Sequence, residues 1–79
     1  MDSIYDKVKE FIFLFVSNQN TRDDDDLFVS GSVNSLFTMQ LILFIEKEYN
    51  ISVTNNDLNI KNFNTIRHIT QYIEHKTTI

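Results

Sequence analysis

Between Leu36 and Ile45 the chain reads LFTMQLILFI, ten residues of which only Thr38 and Gln40 are polar. A helix that buries one face needs an apolar stripe at three- and four-residue spacing. This stretch has apolar side chains on a second side as well. It follows Gly31, the only glycine of a chain that contains no proline, and it gives way to the polar EKEYN. The pattern predicts a long central helix with one side for the core of the chain and another that asks for a second use.

The chain has 79 residues, a length that holds one domain and one small core. A three- or four-helix bundle fits, whereas a deep catalytic cleft would be cramped, so the size favours a binding or carrier module over an enzyme. Hydrophobic residues make up 42% of the sequence, within the globular range. The net charge of −4 argues against nucleic acid, because the seven basic residues are scattered rather than clustered. That charge suits a partner with a basic patch. With no cysteine, disulfides, a thiol nucleophile and cysteine-bound zinc are excluded. The apolar run FIFLFV at 11–16 is far shorter than the roughly 20 residues of a membrane span, and no basic leader or small-residue cleavage site surrounds it. A cytosolic protein, monomeric and without membrane contact, is the expectation.

Helical spacing predicts a first helix from about Ile4 to Ser17, opened by Ser3 with Asp6 in its first turn. Its core face is Ile4, Val8, Phe11 or Ile12, and Phe15, with Phe13 and Val16 off the stripe. Asn18 to Val33 shows no period and reads as a long loop pinned by Leu27, Phe28 and Val29. Asn34 is a good N-cap for a second helix from Ser35 to about Tyr49, with Leu41, Ile45 and an edge through Phe44 and Glu48 toward the core. YNISVTNND reads as a turn with Ile51 and Val53 inserted. A short helical turn follows near Leu58 to Phe63, and Asn64 and Thr65 open a last helix on Ile66, Ile69, Tyr72 and Ile73 that frays at EHKTTI. The expected fold is all-α: three long helices and one short one.

A serine in the first turn of a helix sits near unpaired amides and the positive end of the helix dipole, where a phosphate group is stabilised. Ser35 is therefore suited to bearing a phosphodiester. It is not set up as a nucleophile, because Phe37 stands where the second glycine of G-x-S-x-G would be and no histidine is near in sequence. Gly31, two further residues, then Asn34, Ser35 and Leu36 resemble the phosphopantetheine attachment motif of acyl carrier proteins, usually written G-x-x-D-S-L. LFVSG before the motif, FIEKEYNISV after it and NFNTIRHITQYI near the end are similar to the corresponding family segments, so the resemblance extends over nearly the whole chain as one acyl carrier domain, 1–79.

The resemblance implies a non-catalytic four-helix carrier. Ser35 would receive 4'-phosphopantetheine from coenzyme A through a separate phosphopantetheinyl transferase, and an acyl group would ride on the arm's thiol as a thioester. Gly31, Asn34 and Leu36 would frame the site. Asn34 replaces the usual aspartate, keeping a helix cap but removing one negative charge. VNSLFTMQLILFIEKEY looks like the free-standing carriers for unusual polyketide extender units of the hydroxymalonyl, methoxymalonyl and aminomalonyl type, which implies acyl-loading, acyl-modifying and acyl-accepting enzymes as partners.

For the second apolar side, the resemblance implies a partner-binding face of Phe37, Met39, Gln40, Leu43 and Lys47. Ordinary core packing under the long loop is the alternative for the apolar members, and it weighs most for Phe37. Asp23 to Asp26 lack the alternating ligands and turn glycine of a calcium loop and read as a solvated segment. Glu46, Lys47 and Glu48 read as a solvated face, and His68 and His75 as surface residues, seven positions apart and unsuited to sharing a metal. No metal site is expected. Two rivals stand beside the carrier: a helical nucleic-acid binder, disfavoured by charge, and a small protein-interaction module using the apolar face without a prosthetic group.

Overall fold

The computed structural model describes residues 3–16, 20–28 and 35–77. Among these the chain forms four α-helices, α1 (Ile4–Ile12), α2 (Ser35–Tyr49), α3 (Ile60–Phe63) and α4 (Ile66–Thr77), with one 3-10 turn at Asn55–Asp57. The all-α, carrier-type bundle expected from the sequence is thus observed. Ser3 caps α1, its hydroxyl accepting the Asp6 amide at 3.1 Å. Thr65 does the same for α4 through the His68 amide at 3.0 Å, and Asn59 for α3 through the Lys61 amide at 2.9 Å. Each side-chain oxygen satisfies an amide that a helix start leaves unpaired.

α4 is the brace of the bundle, packing against α1, α3 and α2. Its Ile66, Ile69, Tyr72 and Ile73 join Val8, Ile12, Val16, Leu27, Phe37, Leu41, Ile45 and Phe63 in one buried cluster. α1 and α2 run antiparallel: Phe15 meets Phe37 edge-on at 5.2 Å near one end, and Lys7 pairs with Glu48 near the other. Large rings fill the space between them. Phe11 stacks on Phe44 with ring centroids 4.4 Å apart, an arrangement worth about 0.5–1.5 kcal/mol beyond burial alone.

Several boundaries differ from the sequence expectation. α1 stops at Ile12 rather than continuing to Ser17, which lies outside the described residues. The Leu14 amide bonds the Phe11 carbonyl and the Phe15 amide the Ile12 carbonyl, three residues back, so the chain tightens into a turn. The buried stripe is Val8, Ile12 and Val16, while Phe15 is 42% exposed, reversing the roles expected of Phe15 and Val16. α4 runs on through Glu74, His75 and Lys76 to Thr77 instead of fraying, and the Thr77 hydroxyl donates to the Ile73 carbonyl at 2.9 Å. Past α2, Asn50 takes a left-handed backbone, φ 54°, a conformation asparagine tolerates better than most residues.

The acidic run keeps Asp24 and Asp25 in solvent, as expected, and in addition latches the loop to the bundle. Asp23 accepts the Tyr5 hydroxyl at 2.8 Å, Asp24 pairs with Arg67 at 2.7 Å, Asp25 accepts the Arg22 amide at 2.9 Å, and Asp26 accepts the Phe28 amide and the Asn64 side chain. Backbone bonds from Leu27 to Asn64 and from Arg67 to Asp23 lock the same segment to the start of α4. Leu27 is buried and Phe28 half-buried, as the pinning of the loop required; Val29 lies outside the described residues.

Asp57 ties the segment before α3 to the end of α4, accepting the Lys76 ammonium at 3.1 Å and the Tyr72 hydroxyl at 3.0 Å. The Lys76 hydrogen bond, more than burial opposes it, holds the Asp57 carboxyl below its ordinary range. A carboxyl whose folded pKa is depressed contributes stability above its unfolded pKa and loses it as pH falls through the folded value. Asp57→Asn should therefore lower the melting temperature at pH 7. The gap to wild type should close as the pH drops below the ordinary aspartate range, near 3.9. Thermal melts across that range test this, and a gap independent of pH would sink it.

Candidate functional site

Ser35 is the first residue of α2 and is exposed. Ser35 opens a helix of fifteen residues, so the summed peptide dipoles place about half a positive charge at this end. No acidic residue occupies the first turn to offset it. An accessible hydroxyl at a positive helix start fits a phosphodiester, the linkage that a phosphopantetheine arm would make there. Gly31 and Asn34 lie outside the described residues.

Next to the serine, α2 presents three different sides. One meets α1 and the core: Phe37, Leu41 and Ile45 are buried there. Phe37, expected on the partner face, is 2% exposed. It lies against Phe11 and Phe15, which leaves no surface for a partner to touch; its place is in the core. The second side is open. Leu36 and Met39 are each 63% exposed and Leu43 is 58% exposed, with Gln40 and Lys47 exposed among them. A run of large apolar side chains left in water is characteristic of interaction surfaces.

The third side adjoins α3. Thr38, one turn on from Ser35, lines a groove of about 230 Å³ with Phe28, Leu58, Asn59, Ile60 and Phe63. Apolar side chains dominate it, and two of them, Leu58 and Ile60, are exposed at its rim.

The acids near the open face are spoken for inside the chain. Glu46 accepts the Val53 amide at 2.9 Å and so pins the turn after α2. Glu48 pairs with Lys7 on α1. Along the exposed side from Ser35 to Lys47, the one charged side chain is Lys47, so the net charge of −4 is not displayed here. Sequence reasoning missed both tethers, since neither Glu46 with Val53 nor Glu48 with Lys7 leaves a short-range signature. Among the described residues no three His, Asp or Glu side chains converge as metal ligands, and no helix is long and apolar enough to cross a membrane.

A helical bundle whose second helix begins on an exposed serine beside an apolar face defines a carrier-type protein. A family model described as "Phosphopantetheine attachment site" matches residues 14–73, and the chain belongs to that family of carrier proteins. Its prosthetic group is covalent 4'-phosphopantetheine. The chain is similar to the D-alanyl carrier proteins of Streptococcus pyogenes serotype M5 (strain Manfredo), serotype M49 (strain NZ131) and serotype M1. Each is 36% identical over 67 residues, which are 85% of this chain and 85% of the relative.

Proposed function

We propose that Ser35 is the residue that carries the phosphopantetheine arm, and that the protein shuttles a small acyl group, held as a thioester on that arm, between separate enzymes. The observation that carries the reading is the exposed serine hydroxyl at the start of α2, within the segment matched by the attachment-site model. The chain supplies no catalytic group of its own in this scheme. In the active site of a phosphopantetheinyl transferase the Ser35 oxygen attacks the phosphorus of coenzyme A that bears the arm, giving up its proton to the transferase, while the pyrophosphate P–O bond breaks and adenosine 3',5'-bisphosphate leaves. Loading and accepting enzymes then act on the thiol at its far end, which explains how a chain with no cysteine takes part in thioester chemistry.

For the cargo, similarity to D-alanyl carrier proteins across 85% of both chains favours an aminoacyl group. A polyketide extender unit is the second reading and rests on the string VNSLFTMQLILFIEKEY. The two are separated by intact mass. The phosphopantetheine-bearing protein is offered an amino-acid-activating ligase with ATP and alanine, or an acyltransferase with a malonyl-type thioester. Alanylation alone supports the first reading, malonyl-type loading alone the second, and failure of the protein to gain the arm at all overturns the proposal.

Leu36, Met39, Gln40, Leu43 and Lys47 form the face on which the transferase and the acyl-handling enzymes dock. Met39→Glu places a charge in that apolar contact while leaving the core untouched. Transfer between partners should fall by about tenfold, as expected when one anchor of an interface contributes about 1.4 kcal/mol, with stability changed by no more than about 0.5 kcal/mol. Single-turnover transfer assays beside a thermal melt check both. A large fall in melting temperature would place Met39 in the core instead.

A further inference from the structure

In a chain of net charge −4, one groove is lined by a lysine and two histidines with no carboxylate among them. It lies between α3 and α4, has a volume of about 240 Å³, and is lined by Lys61, Asn62, His68, Gln71, Tyr72 and His75. Two of these act as scaffold. The Tyr72 hydroxyl donates to Asp57 and the Asn62 amide donates to the Asp57 carbonyl at 2.9 Å, so they fix the walls. Lys61, His68, Gln71 and His75 are exposed and supply the chemistry.

The orientation of His68 follows from its neighbours. Asn64 donates its side-chain NH2 to the Asp26 carboxylate at 3.3 Å, which accepts only. The Asn64 oxygen therefore faces His68 Nδ1, 2.7 Å away, and Nδ1 carries the proton. Nε2 is left as the nitrogen available to a ligand, and it becomes a second donor when the ring is protonated. Together with the three ammonium donors of Lys61 and the amide of Gln71, this gives more donors than the two oxygens of a carboxylate would use.

We propose that the groove between α3 and α4 binds a phosphate group, free or carried as a monoester on a small molecule. Its tetrahedral oxygens and double charge match donors that arrive from two helices. Around His68 stand the titratable groups Lys61 on α3 and His75 and the neutral Tyr72 phenol on its own helix, with Asp26 bonded to Asn64 and Asp57 to Tyr72; Arg67 is held by Asp24.

Sulfate is the clean probe, because it keeps two negative charges throughout. Imidazole NMR signals are followed during a sodium sulfate titration at constant ionic strength and pH, using the whole chain. Saturable shifts at both His68 and His75 are expected. Lys61→Gln and His68→Gln should each weaken binding about threefold or more; both side chains are exposed, and unchanged circular dichroism confirms that the fold is kept. Inorganic phosphate and adenosine monophosphate then separate the sources: equal affinity points to free phosphate, and tighter binding of the nucleotide to a monoester. Shifts that do not saturate and match those of chloride, or saturable binding indifferent to both substitutions, would overturn the proposal.

Discussion

Replacing Ser35 by alanine should abolish the gain of a phosphopantetheine in intact mass after incubation with coenzyme A and a broad-specificity transferase, while the helical circular dichroism stays nearly unchanged. The serine side chain is exposed, so its loss opens no cavity. Alanine is the strongest helix former and improves intrinsic propensity by a few tenths of a kcal/mol. The loss of loading is total because the hydroxyl oxygen is the atom that forms the new bond. A variant that still gains the arm would move the attachment elsewhere, and the modified peptide would identify the residue. An unfolded variant would show that the serine hydroxyl supports the start of α2.

The extent of α2 was legible because a long apolar run between polar flanks, with no proline, has one good solution: the helix spans Ser35–Tyr49 as its pattern predicts. α1 was legible only at its start, where Ser3 and Asp6 give a local signal. Its end fell inside FIFLFV, where every residue is apolar and any register offers a buried stripe. The hydrogen bonds from Leu14 and Phe15 that tighten the chain decide which of Phe15 and Val16 turns inward.

The acidic loop shows the opposite difficulty. Asp23, Asp24 and Asp26 find partners at Tyr5, Arg67 and Asn64, far away in sequence, and these pairings leave no local signature, so the run reads as solvated. Asp24 and Asp26 instead meet Arg67 and Asn64 at the start of α4, and Asp23 meets Tyr5 on α1. At the candidate site, the place of Ser35 at the start of α2 was legible from the helix pattern, and the exposure of Met39 and Leu43 from their placement off the core stripe. Phe37 was not legible, because α2 is apolar on several sides and only the approach of α1 selects the one that is covered.

Phe37 accordingly gives the largest effect on stability. Its ring is 2% exposed and touches Phe11 and Phe15, so Phe37→Ala removes both the burial of the ring and the contacts it makes, and leaves a cavity between two helices. Such a change costs about 3–5 kcal/mol, against a total of about 4–12 kcal/mol for a domain of this size. The melting temperature should fall by about 12 °C or more. Transfer rates measured well below the midpoint, where the remaining protein is folded, should stay close to wild type, because no partner reaches this ring. A small thermal shift joined to a large loss of transfer would return Phe37 to the docking face and shift the aromatic core toward Phe11 and Phe44. The contrast with Met39→Glu is the stronger test, since the two residues lie two positions apart on one helix and only their direction differs: one substitution should lower stability and spare transfer, and the other should do the reverse.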